Sequence, residues 1–375
     1  MNFDFSDDQK MLKDQARKLL TEKCTSKTVR KVLESEAGHD AALWKQAAEM
    51  GWLGTAIPEE FGGLGLGYLE LCVIAEELGR ALAPVPFEST VGLFAEAVLL
   101  AGSDEQKKKY LPKIAEGSLI GTFARAEGPG AVTPKSVRAT FKGGKLSGKK
   151  IAVIDGMDAD AAVVLARASD EAGERGLALC IVDLKGAGVS RRTEDSIDPS
   201  RKLAEIAFAE APAEALGKTG EAWSIANRVL DRAAVLTAFA QVGGADACLE
   251  MAKGYATQRY AFGRLIGSYQ AIKHKLADMY VNTELARSNA YYGAWALSTN
   301  ARELPLAAAA ARVSATQAFD YAAKENTQTH GGIGFTWEVD CHLFYKRSRH
   351  LALSLGSQRT WKDKLVTELE LSNAA

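Results

Sequence analysis

The sequence predicts an α+β protein: an all-helical N-terminal domain, a middle domain of antiparallel β-structure and a C-terminal four-helix bundle. Three observations carry this. Apolar residues recur at helical spacing through the first third of the chain. From Gly121 to about Ala211 the texture changes to short alternating or apolar runs separated by Gly, Pro and Asp. From about Gly217 onward long alanine- and leucine-rich stretches return, interrupted only at Phe262-Gly263, Pro305 and His330-Gly331-Gly332-Ile333-Gly334. The domain divisions expected are 1–119, 120–213 and 214–375.

The elements follow in order. Phe5, Met11, Leu12, Ala16, Leu19 and Leu20 mark an amphipathic opening helix, with Ser6 and Gln9 forming a capping box at its start. A second helix spans 41–53 and stops near Gly51. The glycine-rich loop Ile57-Pro58-Glu59-Glu60-Phe61-Gly62-Gly63-Leu64-Gly65-Leu66-Gly67 comes next. A helix over 68–82 is halted by Pro84 and Pro86, and helices over 88–101 and 104–116 complete the first domain. In the middle, 137–141, 161–165 and 177–182 read as strands. No helical crossovers separate them, which favours an antiparallel sheet or barrel over a parallel doubly wound sheet. The last domain reads as helices over 221–258, 269–299, 304–329 and 341–371; the alanine run 307–311 is helix.

Composition narrows the function. With 375 residues, 47% hydrophobic and 25% charged, the chain has ample material for a core, which excludes disorder as its main state. Lys and Arg number 46 against 47 Asp and Glu, so no basic field exists to hold nucleic acid. The short run Lys346-Arg347-Ser348-Arg349 reads as a solvated helix face. Five scattered cysteines without a CxxC pair support neither a disulfide framework nor a metal site, and reduced thiols in a cytoplasmic protein are expected. The N-terminus lacks the apolar core of a signal peptide, and no run of about 18 uncharged apolar residues occurs, so no membrane partner is expected.

Two segments could carry chemistry. The first is Arg259-Tyr260-Ala261-Phe262-Gly263-Arg264-Leu265-Ile266-Gly267-Ser268-Tyr269-Gln270. An arginine beside a helix break can pair bidentately with a phosphate, with backbone N–H groups adding bonds. Spacing alone favours a helix C-cap, with Gly263 stopping the helix and Arg259 offsetting its dipole. The second is Gln328-Thr329-His330-Gly331-Gly332-Ile333-Gly334-Phe335, whose glycines let backbone approach a bulky ligand. Here too simple helix termination is an alternative, and His330 reads as a capping or packed histidine.

Both segments, in this order, are found in the acyl-CoA dehydrogenases, which this chain resembles over essentially its whole length. The resemblance also includes the amphipathic first helix, the Ile57-to-Gly63 loop and the helix containing Glu76-Glu77-Leu78. It implies FAD as cofactor, an acyl-CoA thioester as substrate, a dimer or dimer of dimers, and an electron-transferring flavoprotein as acceptor. It further implies that Arg259, Phe262, Gln270, Gln328, Gly331, Gly332 and Gly334 contact the ADP half of an FAD seated mainly in the neighbouring subunit.

The sequence also departs from the family. The family base is a glutamate about twenty residues beyond the Gly-Phe of the second segment, within reach of the substrate α-proton. The ungapped count from Phe335 lands on Leu355, before Gly356. Some members carry the base on the first bundle helix; the matching position is Ala233. Asp231 lies two positions away on another helix face and reads as a solvated carboxylate beside Arg232. Glu338 and Asp340, which follow the glycines, are further carboxylates to weigh as the base on the same footing as Asp231. In the middle domain, Ala126-Glu127-Gly128-Pro129-Gly130-Ala131-Val132-Thr133 keeps the family acid but loses its serine and aspartate. Ala152-Val153-Ile154-Asp155-Gly156 stands where the family has Trp-Ile-Thr/Ser against the flavin ring.

The segments that would reach a neighbour's FAD are therefore kept, and those that would hold the chain's own flavin ring and move the proton are not. The expected function is FAD-dependent acyl-CoA dehydrogenation, with this chain completing the FAD site of a sister acyl-CoA dehydrogenase subunit. Bacterial members acting on bulky steroid side chains, heterotetramers with fewer flavins than chains, are similar in kind. The alternatives are a self-sufficient homo-oligomer with a relocated base, a non-catalytic structural subunit, or another flavin reaction on the same scaffold.

Overall fold

The computed structural model describes residues 6–374. Phe5, counted above toward the first helix, lies outside them. The chain divides into two compact units, each drawn from separated stretches. The first comprises Met1–Arg30, so far as described, with Tyr68–Ala83 and Ala234–Ala375; the second comprises Lys31–Gly67 and Pro84–Ala233.

The first unit is helical. Helix α1 (Asp7–Lys23) opens with the expected capping box: Ser6 Oγ accepts the Gln9 N–H at 3.2 Å, and Gln9 Oε1 accepts the Ser6 N–H at 3.0 Å. A short helix α2 (Ser26–Leu33) follows, which the sequence reading passed over because eight residues give too little periodicity to register. Helix α4 (Tyr68–Arg80) is buried from Leu71 through Gly79, including Glu76 and Glu77. Their charges are met from other helices. Lys13 of α1 donates to Glu76 at 3.0 Å, Arg17 of α1 reaches Glu77 at 2.7 Å, and Arg287 also binds Glu76. A Cβ on Gly79 would sit 2.0 Å from the Ala240 carbonyl oxygen, so the backbones of α4 and α7 (Ala222–Ala256) nearly touch.

The C-terminal helices are α7, α8 (Gln270–Ser298), α9 (Leu304–His330), α10 (Cys341–Ser354) and α11 (Gln358–Ala374). The alanine run lies inside α9. The single helix expected over 341–371 is two helices, because Gly356 has φ +111°, outside the helical region. The run 346–349 is not a solvated face. Arg347 is buried and donates to the Leu82 carbonyl at 3.2 Å, Ser348 is buried, and Arg349 pairs with Asp320 at 3.0 Å.

In the second unit α3 (Ala41–Glu49) is capped by Asp40, whose carboxylate accepts the Leu43 N–H at 2.8 Å. The glycine-rich loop folds back on itself: Leu64 donates to Gly54, Gly65 to Ile57 and Leu66 to Thr55, each at 2.9 Å. Its glycines serve packing, since a Cβ on Gly63 would lie 2.0 Å from the Ile57 carbonyl oxygen. The helix expected over 88–101 is a π-helical segment, Glu88–Ala95, running into α5 (Glu96–Ala101); α6 (Asp104–Ala115) follows.

The described strands of the sheet come next: β1 (Gly121–Ala124), β2 (Thr140–Lys142), β3 (Lys145–Ile154), β4 (Ala161–Arg167), β5 (Leu177–Asp183), β6 (Val189–Glu194) and β7 (Leu203–Leu216). Their order is β1-β4-β2-β3-β7-β5; β5 also pairs with β4, closing the path, and β6 flanks β7. The pairing is mainly antiparallel. The exceptions are β1 against β4 and one contact of β2 with β4, both parallel, because the β2–β3 hairpin returns the chain before β4 begins. A two-residue pair, β8 (Tyr260–Ala261) with β9 (Arg264–Leu265), lies between α7 and α8. Among the described residues no helix is long and apolar enough to cross a membrane, and all five cysteines are buried free thiols.

Candidate functional site

The Arg259 segment is a hairpin and not a simple helix stop. Helix α7 ends at Ala256, before Arg259, and the chain turns at Phe262 and Gly263 with φ of +53° and +79°. Two positive φ values across a two-residue loop are the pattern of a type I′ turn. The base of the hairpin is closed by the Ile266 N–H donating to the Arg259 carbonyl at 2.8 Å. Tyr269 Oη donates to the Ala261 carbonyl at 3.0 Å, and the Arg264 guanidinium lies 3.9 Å from the centre of the Tyr269 ring. The braced tip holds Phe262 96% exposed. Arg259 and Gln270, the first residue of α8, are exposed, and neither side chain has a partner among the described residues.

The second segment caps α9. Gly331 turns the chain at φ +64°, its N–H donating to the Gln328 carbonyl. A Cβ on Gly331 or Gly332 would meet nothing within 4 Å, so both present open backbone. Gly334 differs: a Cβ there would lie 2.4 Å from the Thr327 carbonyl oxygen, and internal packing already requires glycine. Gln328 is exposed. His330 is buried and packed, its Nδ1 2.9 Å from the Asn326 carbonyl oxygen. Its ring stacks on Tyr255 at 4.2 Å, tying the end of α9 to the end of α7 and so linking the two segments.

Beyond the glycines, Phe335 and Trp337 are exposed. Trp337 is flanked by Lys346 at 4.5 Å, Arg30 at 5.6 Å and the edge of His342 at 4.3 Å. Burial, together with Lys346 and Arg30, lowers the His342 pKa to about 4. Asp340 is engaged, accepting from Arg30 and from Ser26, both at 2.7 Å. Glu338 is exposed to solvent.

Leu355 and Ala233, the residues that the ungapped counts reach, are both buried, Leu355 2% exposed and Ala233 fully so. The sequence reading of Asp231 as solvated is corrected. It is 3% exposed, because this part of α7 is buried on all sides. Arg232 pairs with Glu96 at 3.1 Å.

In the second unit, Glu127 accepts from Lys150 at 2.6 Å and from the N–H groups of Arg138 and Ala139 at 2.8 and 3.0 Å. Lys150 is fully buried, and although burial lowers its pKa, Glu127 opposes the fall. Ala152 takes φ +50° and donates its N–H to Glu194 at 2.6 Å. Ile154 is buried. Asp155 is locked in a buried ion pair with Arg201 at 2.8 Å and accepts the Ser89 hydroxyl at 2.6 Å. This stretch offers neither an aromatic platform nor a hydroxyl to a flavin ring.

The family model "Acyl-CoA dehydrogenase, N-terminal domain" matches residues 6–118, and "Acyl-CoA dehydrogenase, C-terminal domain" matches 220–364. The chain is 31% identical over 364 residues to the acyl-CoA dehydrogenase IpdE2 of Mycobacterium tuberculosis, covering 97% of this chain and 98% of that protein. It belongs to the acyl-CoA dehydrogenase family. Two solved structures of acyl-CoA dehydrogenase fold are similar throughout. A variant of the Tcur3481-Tcur3483 steroid ACAD matches at TM-score 0.88 and 30% identity, covering 98% of this chain and 99% of that one. The ChsE4-ChsE5 complex of Mycobacterium tuberculosis matches at TM-score 0.89 and 25% identity, covering 99% of both chains.

Proposed function

We propose that this acyl-CoA dehydrogenase family chain serves FAD-dependent α,β-dehydrogenation of an acyl-CoA thioester as one subunit of a hetero-oligomer, completing the FAD site of a sister subunit. The observation that carries this reading is the hairpin tip. Phe262 stands almost wholly in water on a left-handed backbone, braced from below and exposed on its own chain. Exposure alone would be ordinary for one apolar side chain; a bulky residue kept on a strained left-handed backbone is what suits a surface that receives it from outside.

Arg259 would pair with pyrophosphate oxygens, Gln270 and Gln328 would offer amides, and Gly331 and Gly332 would bring open backbone close to the cofactor. Gly334 supports their turn. FAD, when bound, supplies the hydride acceptor of the reaction. The general base would come from the sister chain, because Leu355 and Ala233 have no proton to exchange. Similarity to chains of a paired steroid ACAD and of the ChsE4-ChsE5 complex supports such an assembly. Electrons would pass to an electron-transferring flavoprotein, and the buried free thiols suit a cytoplasmic setting.

The test is flavin stoichiometry. Purified alone, the chain should be colourless; co-produced with the sister subunit, the complex should be yellow, and Arg259→Ala should deplete its flavin. About one FAD per chain in the protein alone, or unchanged flavin in the Arg259→Ala complex, would overturn the reading.

A further inference from the structure

The loop between α9 and α10 carries two bulky aromatic rings into solvent that its own fold does not need. Phe335 is 73% exposed and Trp337 57% exposed. Hydrogen bonds on both sides of Trp337 set the backbone without them. Thr336 donates through its N–H and its hydroxyl to the Ile333 carbonyl at 3.0 and 2.8 Å, and the Glu338 N–H donates to the Thr336 hydroxyl at 3.3 Å. Beyond Glu338, Asp340 is fixed by Arg30 and Ser26. Phe335 makes no ring contact among the described residues, and Trp337 is steadied by Lys346, Arg30 and the edge of His342.

One exposed apolar side chain is ordinary. Here the hairpin at the end of α7 adds Tyr260 and Phe262, both exposed, and the Tyr255–His330 stack joins the helix ends that carry the two loops. Four exposed aromatics on two braced loops form a patch of the kind another macromolecule covers, and rings ordered in advance are what anchor such contacts. The charge around them is one-sided. Lys346, Arg259 and Arg264 meet no carboxylate among the described residues, and the loop's own acids are Asp340, taken by Arg30, and the exposed Glu338. The surface that complements this patch is therefore apolar and edged with carboxylates.

What covers the patch follows from its place. Phe335 and Trp337 come directly after Gly331 and Gly332, the open backbone that the proposed function sets against a sister subunit's cofactor. A chain seated at those glycines meets these two rings next. We infer that Phe335 and Trp337 anchor the sister subunit itself, giving the two chains affinity for one another beyond what the shared FAD provides. The inference rests on the proposed function only for the identity of the partner.

The experiment uses the assembled complex of this chain with the sister acyl-CoA dehydrogenase subunit. Sedimentation velocity over a dilution series gives the dissociation constant, and Phe335→p-benzoylphenylalanine gives a photo-crosslink whose target mass spectrometry identifies. Phe335→Ala and Trp337→Ala should each raise the dissociation constant at least about tenfold, and Lys346→Glu should raise it and reduce its salt dependence. The crosslink should fall on a sister-chain peptide, and the lone chain should keep its thermal midpoint in both alanine variants. Should Trp337→Ala not fold, Phe335→Ala carries the test alone. Unchanged association in Phe335→Ala overturns the inference. So does a crosslink to FAD, which would make the rings cofactor contacts, or one to a second copy of this chain. Flavin content unchanged by Arg259→Ala in a complex that still depends on Phe335 removes the shared-FAD reading and leaves the anchor standing.

Discussion

Phe262→Ala separates what the hairpin does for its own chain from what it does for an assembly. At 96% exposure the ring contributes no burial to the isolated chain, so its removal should change unfolding free energy by less than about 0.5 kcal/mol. Alanine also keeps the cost of the +53° φ, so the backbone term cancels between the two proteins. If the ring is buried in a neighbouring subunit, it contributes about 1.5–3 kcal/mol there. The dissociation constant for the completed site should then rise about ten- to a hundred-and-fifty-fold. The assay follows flavin absorbance retained by the complex through serial dilution and gel filtration, beside urea melts of the isolated chain. Phe262→Gly is a useful companion: it relieves the left-handed strain and should stabilise the isolated chain by up to about 1 kcal/mol while loosening the complex as alanine does. Wild-type flavin retention in Phe262→Ala, or a large loss of stability in the chain alone, would refute the reasoning.

Other predictions concern the helical unit. Glu76→Gln leaves Arg287 and Lys13 facing a neutral amide, and because those partners are partly solvated the loss should be about 2–4 kcal/mol in urea melts. Burial alone would raise the Glu76 pKa, but Arg287 and Lys13 outweigh it and hold the carboxyl below its ordinary value of 4.5. Its stabilising contribution is therefore complete above that value and fades as pH falls through the lower folded value, so the acid limb of the wild-type stability curve should be steeper than that of Glu76→Gln. Gly79→Ala places a methyl 2.0 Å from the Ala240 carbonyl oxygen, and forcing α4 away from α7 should cost about 3 kcal/mol or more, read as a lower thermal midpoint.

What was legible in the sequence was local. The Ser6–Gln9 cap, the strands near 161 and 177 and the alanine-rich helix each depend on neighbours a few residues apart, and the structure has them. What escaped depends on distance. The network around Glu76 joins residues from three helices far apart in sequence, and no pattern within α4 announces that its carboxylates are buried. Asp231 reads as solvated until the packing around its part of α7 is known. Lys346 to Arg349 looks like a charged surface until Arg347 is seen reaching Leu82. The hairpin was hidden because Phe-Gly is not the Asn-Gly that usually marks a type I′ turn, and glycine beside a long helix suggests a cap first. The likeness of the two segments to a family was plain in the sequence, whereas the exposure of Phe262 and the packing duty of Gly334 needed coordinates.

The way the first unit is stitched together bears on its birth at the ribosome. Its opening stretch ends at Arg30 and its longest stretch begins only at Ala234. Synthesis at about 5–20 residues per second means the first helix emerges on the order of ten to forty seconds before the helices that cover it. Every stretch of the second unit has been made by residue 233, so that unit can mature while α1 and α4 still wait with buried-to-be faces uncovered. A ribosomal pause placed late in the message would lengthen that exposure, and one placed early would not. Nascent-chain protease sensitivity should accordingly vanish first from the β-strands and last from α1, although α1 is the first helix to be made.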